Sequence, residues 1–223
     1  MEAKWGILVP PMPISLSIHL RDLNQALVHA WREEFAGVPG VTVSHGDMFT
    51  DRPGPVTASD PIDLRADAVV SPANSFGFMD GGIDAVYTYH LGPKLEEQLR
   101  ATLATRFGGE LPVGQAIVVP TGHPAIPWCI SAPTMRVPAD VSDTVHAYLA
   151  MRAALLAVLS HNESSAEPIR TVLCPGLGTA TGRMPPARCA RQMREAWNQV
   201  LGGQPSIPSS VYEAMEHDRR LRA

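Results

Sequence analysis

The 223-residue chain is poor in charge, at 18% Asp, Glu, Lys and Arg, and poor in aromatics, at 6%. It carries 45% hydrophobic residues, and that balance excludes a disordered chain, which could not bury enough apolar surface to offset its lost entropy. The net charge is -4 at pH 7, so a general grip on nucleic-acid backbones is not expected. Only three cysteines are present, Cys129, Cys174 and Cys189. None has Cys-x-x-Cys spacing, so they read as free thiols in a reducing compartment. No His/Cys cluster has metal-ligand spacing, and no metal or cofactor is expected. No apolar run reaches membrane-span length, and the N-terminal stretch Met1–Pro11 is too short for a signal core with its cleavage site. A cytoplasmic location without membrane contact is the expectation, with the oligomeric state left open.

What is present alternates: apolar runs of strand length are followed by amphipathic stretches of helical length, as in an α/β fold. Strands are expected at Lys4–Val9, Val41–Ser44, Asp67–Ser71, Gln115–Pro120, Trp128–Ala132 and Thr171–Cys174. Helices are expected at Arg21–Phe35, with Leu23, Ala26, Leu27, Ala30 and Trp31 on the inner face, and at Gly82–His90 and Pro93–Phe107. Further helices are expected at Val141–Ser160, capped by Asp140 or Ser142, at Pro185–Val200, and weakly at Ser210–Arg219. Asp51–Pro61, rich in Pro, Gly and Asp, reads as a surface loop. The pattern predicts a three-layer α/β/α sandwich around a mixed, mostly parallel sheet, in one domain spanning residues 1–223. Within it, residues 41–200 form the core, 1–40 an N-terminal extension and 202–223 a tail.

Two segments read as strand–loop–helix turns suited to phosphate. One runs from Val69 to Asp84 through Ser71-Pro72-Ala73-Asn74 and Asp80-Gly81-Gly82-Ile83-Asp84. The other runs from Val172 to Pro185 through Gly176-Leu177-Gly178-Thr179-Ala180-Thr181-Gly182-Arg183. Glycine lets successive N–H groups turn toward an anion, and a helix N-terminus adds partial positive charge. Neither segment has the Gly-Lys-Ser/Thr of a nucleoside-triphosphate loop or the Gly-x-Gly-x-x-Gly of a dinucleotide fingerprint. Three polar residues admit two readings each. Asp47 either forms a turn or accepts a hydrogen bond from an exocyclic amine. Asn74 either caps its loop or fixes a ribose hydroxyl. Asp84 either complements a helix N-terminus or acts on substrate.

Taken in order, these residues resemble the macrodomain family, the ADP-ribose-binding fold. Gly46-Asp47-Met48 is similar to the family's Gly-Asp-Ile/Val, and Ser71-Pro72-Ala73-Asn74 to its Asn-Ala-Ala-Asn. Gly81-Gly82-Ile83-Asp84 is similar to its Gly-Gly-Val-Asp. Pro112-Val113-Gly114-Gln115-Ala116 is similar to its Thr-Gly-Glu-Ala, and Pro175–Pro185 to its second phosphate loop. The resemblance implies that Asp47, with Met48 beside it, meets the adenine amine. It implies that the main chain of Ala73, Gly81, Gly82 and Ile83 faces that of Gly176, Gly178, Thr179, Ala180, Thr181 and Gly182 across a diphosphate; Arg183 either contacts phosphate or a modified partner or faces solvent. Asn74 and Asp84, ten positions apart, match the catalytic pair of the mono-ADP-ribosyl hydrolase branch. The implied ligand is ADP-ribose or an ADP-ribosylated macromolecule. The implied activity is removal of mono-ADP-ribose or hydrolysis of O-acetyl-ADP-ribose, the alternative being a module that only recognises the nucleotide. The sequence departs from the family in several places, among them Phe76-Gly77-Phe78-Met79-Asp80 in the first loop, the Arg21–Phe35 helix and the Asp51–Pro61 insertion. Asp80 adds a carboxylate beside the first loop and is expected to face solvent. Ala180 stands where glycine is usual, and Gly182-Arg183 replace an aromatic-Gly pair. Met135 and Val137 are candidates to stack on adenine.

Overall fold

The computed structural model describes residues 16–51, 62–203 and 207–223. Six strands form one sheet: β1 (Ser17–Asp22), β2 (Val41–His45), β3 (Ala68–Ser71), β4 (Ile117–His123), β5 (Ile126–Ser131) and β6 (Thr171–Cys174). Their order is β2-β1-β6-β3-β5-β4. All neighbours are parallel except β4, which folds back antiparallel on β5. The helices are α1 (Gln25–Glu34), α2 (Gly82–Leu91), α3 (Lys94–Arg106), α4 (His146–Ser164), α5 (Pro186–Leu201) and α6 (Val211–Arg222). The mixed, mostly parallel sheet is therefore covered on both faces, as parallel strands require of their connections.

Each face has its own apolar layer. One gathers Ile18 and Leu20 of β1, Val70 of β3 and Val172 of β6 with Leu27, Trp31, Met151, Leu155 and Met193 of α1, α4 and α5. The other packs Val69, Cys129 and Leu173 against Tyr87, Leu95, Leu99 and Leu103 of α2 and α3. The alternation of Val69 and Val70 between layers follows from the two-residue strand period. All three cysteines are buried and unpaired, and burial pushes their thiols up, Cys189 to about 12. No helix among the described residues is long and apolar enough to cross a membrane.

Several element boundaries differ from expectation. Arg21 and Asp22 close strand β1, and Asn24 starts α1 by accepting from the N–H groups of Ala26 and Leu27. The helical spacing of Leu27, Ala30 and Trp31 does not extend back to Leu23, whose side chain is 66% exposed, and Ala26 is also exposed. The α4 helix begins at His146 with Val145 as its cap residue. Asp140 instead accepts from the N–H of Ser142 in a turn before it. Pro93 is the cap residue of α3, one position before its first turn. The C-terminal helix is longer than predicted and docks through buried Leu221. The strand expected at Lys4–Val9 and most of the loop expected at Asp51–Pro61 lie outside the described residues.

Candidate functional site

Strands β3 and β6 are neighbours in the sheet, so the loops that leave their C-terminal ends emerge side by side. Between them lies an open cleft of about 330 Å³, walled by Gly81, Gly82, Ile83 and Asp84 on one side and Gly176 and Gly178–Gly182 on the other. Ligands favour this edge of a parallel sheet, where loops rather than strand edges face the solvent.

The first wall is the start of α2, whose cap residue Gly81 carries no side-chain cap. Among the described residues the N–H groups of Gly81, Gly82 and Ile83 have no protein acceptor, as expected of a helix N-terminus. The second wall ends in α5. Its N–H groups from Gly178 to Gly182 also lack a protein acceptor among the described residues. The turn is closed instead by Arg183 and Met184, which donate to Ala180 and Gly178. Gly182 is required by close approach: a Cβ there would sit 2.5 Å from the Gly178 carbonyl oxygen and 2.6 Å from Val141. The left-handed positions of this turn fall at Gly178 (φ 71°) and Arg183 (φ 54°), and Ala180 is not among them. Two sets of main-chain N–H groups without a protein acceptor thus line one cleft, one of them at a helix N-terminus.

Cationic side chains contribute little. Arg21 is the basic residue of the lining, and its buried guanidinium is spent inside the protein. It donates to the carbonyl oxygens of Asp47 and Thr50, to Ser44 Oγ and to Asp51 Oδ1. Against it stand the lining carboxylates Asp22, Asp47, Asp80 and Asp84. The groups this cleft offers to an anion are N–H groups rather than cationic side chains.

The individual polar residues are as follows. Asp84, at the third position of α2, is 7% exposed, and its Oδ1 accepts from Ser71 Oγ at 2.5 Å. Burial pushes its carboxyl from 3.8 to about 7, and the Ser71 hydrogen bond pulls in the opposite direction. Asn74 lines the cleft but its amide is occupied by its own loop. Oδ1 accepts from the N–H groups of Phe76 and Phe78, and Nδ2 donates to the Phe78 carbonyl at 2.8 Å. Asp47 shapes its turn and lines the cleft. One carboxylate oxygen accepts from the Phe49 N–H at 2.8 Å, while the other has no partner among the described residues. Met48, Ala73 and Met135 are buried side chains that line the cleft. Thr179, Ala180 and Thr181 are on the second wall. Asp80 is exposed, though it too borders the cleft. Arg183 and Val137 are exposed and lie outside the lining; Arg183 approaches Asp140 at 3.8 Å.

The motifs did not single out the β1–α1 turn. Asp22, Leu23 and Asn24 all line the cleft, and Asp22 accepts from the N–H groups of both Asn24 and Gly176. It thereby ties this turn to the start of the second wall. An Asp-x-Asn just before a helical pattern is a cap signal that would have ended the strand at Asp22. Phe78, 46% exposed with the Arg100 guanidinium 4.1 Å over its ring, adds an aromatic edge at the first wall. Among the described residues there is no group of three or more His, Cys, Asp or Glu that could hold a metal ion.

The sequence model of one family, described as Macro domain, matches residues 70–193, more than half of the chain. A protein of Aeropyrum pernix is 31% identical over 155 residues, covering 70% of this chain and 76% of that protein. The "Macro domain-containing protein in sno 5'region" of Streptomyces nogalater is 31% identical over 129 residues, covering 57% of this chain and 67% of that one. Among solved structures, the Oceanobacillus iheyensis macrodomain with MES bound covers 70% of this chain and 84% of its own. That likeness has a TM-score of 0.50 at 15% identity, and it concerns the fold.

Proposed function

This chain belongs to the macro domain family, and from that premise we propose that its cleft binds ADP-ribose, free or attached to a macromolecule, through the diphosphate. The observation that carries the reading is that two walls with unpaired main-chain N–H groups among the described residues, Gly81–Ile83 and Gly178–Gly182, line one cleft. A diphosphate presents oxygens on both sides, and donors that need no reorganisation suit it. In this reading Asp47, which lines the cleft and uses one carboxylate oxygen on the Phe49 N–H, would accept from the adenine amine through the other.

The reaction that follows from this reading is hydrolysis at the distal ribose of a mono-ADP-ribosylated substrate or of O-acetyl-ADP-ribose. For the mono-ADP-ribosylated substrate, water attacks the anomeric carbon and the bond to the acceptor breaks. The departing acceptor atom takes a proton, and Asp84 takes one from the water. A carboxyl held at about 7 is partly ionised at neutral pH and still basic enough for that task. Asn74 would orient the ribose hydroxyls. A second reading, recognition without turnover, is favoured by one observation: the Asn74 amide already bonds to Phe76 and Phe78 of its loop.

Calorimetric titration with ADP-ribose, with AMP and ATP alongside, tests the binding. ADP-ribose should bind tightest, and preference for ATP would point instead to a nucleotide-utilising transferase. With ADP-ribosylated substrates, Asp84→Ala should retain affinity and lose turnover. Binding of ADP-ribose with no release from any modified substrate by the wild type would leave the recognition module. The compartment we propose is the cytoplasm, in keeping with three unpaired buried thiols.

A further inference from the structure

The wall that carries Asp84 rests on two serines. Ser71 and Ser131 end β3 and β5 and are register partners, so their side chains share one face of the sheet. Both are buried. They are used differently: Ser71 Oγ donates to Asp84 Oδ1 at 2.5 Å, whereas Ser131 Oγ has no partner among the described residues.

The other groups facing Asp84 offer it no positive charge. Tyr87, on its own helix, donates its hydroxyl to the Val70 carbonyl at 3.0 Å. Cys129 of β5 is a buried thiol, and burial pushes both the phenol and the thiol up, leaving them neutral at physiological pH. The other acidic residues of the cleft lining are Asp22, Asp47 and Asp80, and the Arg21 guanidinium is committed to Asp47, Ser44, Thr50 and Asp51. The Ser71 hydroxyl is therefore the one side-chain hydrogen bond made to this carboxyl among the described residues.

We propose that Ser71 is the positioning residue of Asp84: its hydroxyl anchors the carboxyl in the cleft wall and stabilises the carboxylate form. Its consequence for turnover rests on the hydrolase reading above, but the anchoring itself does not. Where the family motif has Asn-Ala-Ala-Asn, this chain has Ser71-Pro72-Ala73-Asn74. The substitution puts a short hydroxyl donor under the carboxyl, oriented by a strand that is buried along its length.

The test follows the Asp84 carboxyl carbon by NMR in the ligand-free full chain across pH 4.5–9 in the wild type, Ser71→Ala and Ser131→Ala. Loss of a hydrogen bond to a charged group should raise the Asp84 midpoint by about one pH unit in Ser71→Ala. Ser131→Ala removes an equally buried hydroxyl that makes no bond, and should leave the midpoint in place. A second readout is thermal unfolding: Ser71→Ala should lose more stability at pH 8.5 than at pH 5, because the bond favours the ionised form. An unchanged midpoint, an equal shift in Ser131→Ala, or the same loss of stability at both pH values would overturn the proposal. If the wild type turns over ADP-ribosyl substrate, the acid limb of its pH–kcat profile should move with the NMR midpoint in Ser71→Ala, with KM little changed. If the wild type turns nothing over, the hydrolase reading fails while the titration still decides the role of Ser71.

Discussion

Replacing Asp84 by asparagine should stabilise the protein by an amount that grows with pH. Burial holds this carboxyl at about 7 in the folded chain, against an ordinary 3.8 once unfolded. Below pH 3.8 both states carry the proton, and the substitution changes little. Between 3.8 and about 7 the unfolded chain ionises while the folded one keeps its proton, so the wild type loses about 1.36 kcal/mol of stability per pH unit. Above pH 7 the loss levels off, and the difference between the two values corresponds to about 4 kcal/mol. Asparagine does not titrate, and its carbonyl oxygen can still accept from Ser71. For a chain of this size the gain is on the order of 10 °C in melting temperature. The assay is thermal unfolding of both proteins without ligand from pH 4 to 8.5. Curves that run parallel across that range would refute the claim that burial outweighs the Ser71 hydrogen bond and raises this carboxyl in the folded state. A protein that keeps such a group at a cleft sacrifices stability there, as sites with a chemical task often do.

Other outcomes follow from the same geometry. Gly182→Ala should weaken ADP-ribose binding at least tenfold by calorimetry, since the new methyl meets the Gly178 carbonyl and Val141. Gly81→Ala, extended and with open space around it, should fold normally and cost far less affinity. Asp80→Asn should strengthen ADP-ribose binding about twofold at low salt, the gain shrinking as salt screens the exposed carboxylate. Arg21→Met should destabilise the protein by about 3 kcal/mol in urea unfolding, because it strands the Asp47 and Thr50 carbonyls. Leu23→Asp should leave stability within about 0.5 kcal/mol, as an exposed side chain allows, yet weaken nucleotide binding at the β1–α1 end of the cleft.

The order of strands and helices from Val41 onward was legible because each element has a strong local period. Thr171–Cys174 is four apolar or β-branched residues bounded by charge and proline, and Leu95, Leu99 and Leu103 repeat at helical spacing. Strand β1 was not legible. His19 and Arg21 look like solvent-facing residues, but they bond Ser44 and the Gly46–Asp51 segment of the neighbouring strand and loop. Only pairing with β2 and β6 makes those polar side chains acceptable inside. The start of α4 was misread for the opposite reason. Apolar spacing ran back to Val141, but Val141 packs into the second wall of the cleft, where its N–H donates to the Gly182 carbonyl.

The residue order by itself determined the chemistry on offer: two glycine-bearing turns after buried strands, and a carboxylate ten positions beyond an amide. Tertiary structure decided which of those groups meet. The adjacency of β3 and β6, strands about a hundred residues apart in the chain, sets both turns on one cleft. Burial between α2 and β3 turns Asp84 from an ordinary acid into one that titrates near neutrality. The β1–α1 turn brings Asp22 onto Gly176. Proximity across the sheet and exclusion of water depend on long-range packing, and a local pattern carries no record of either.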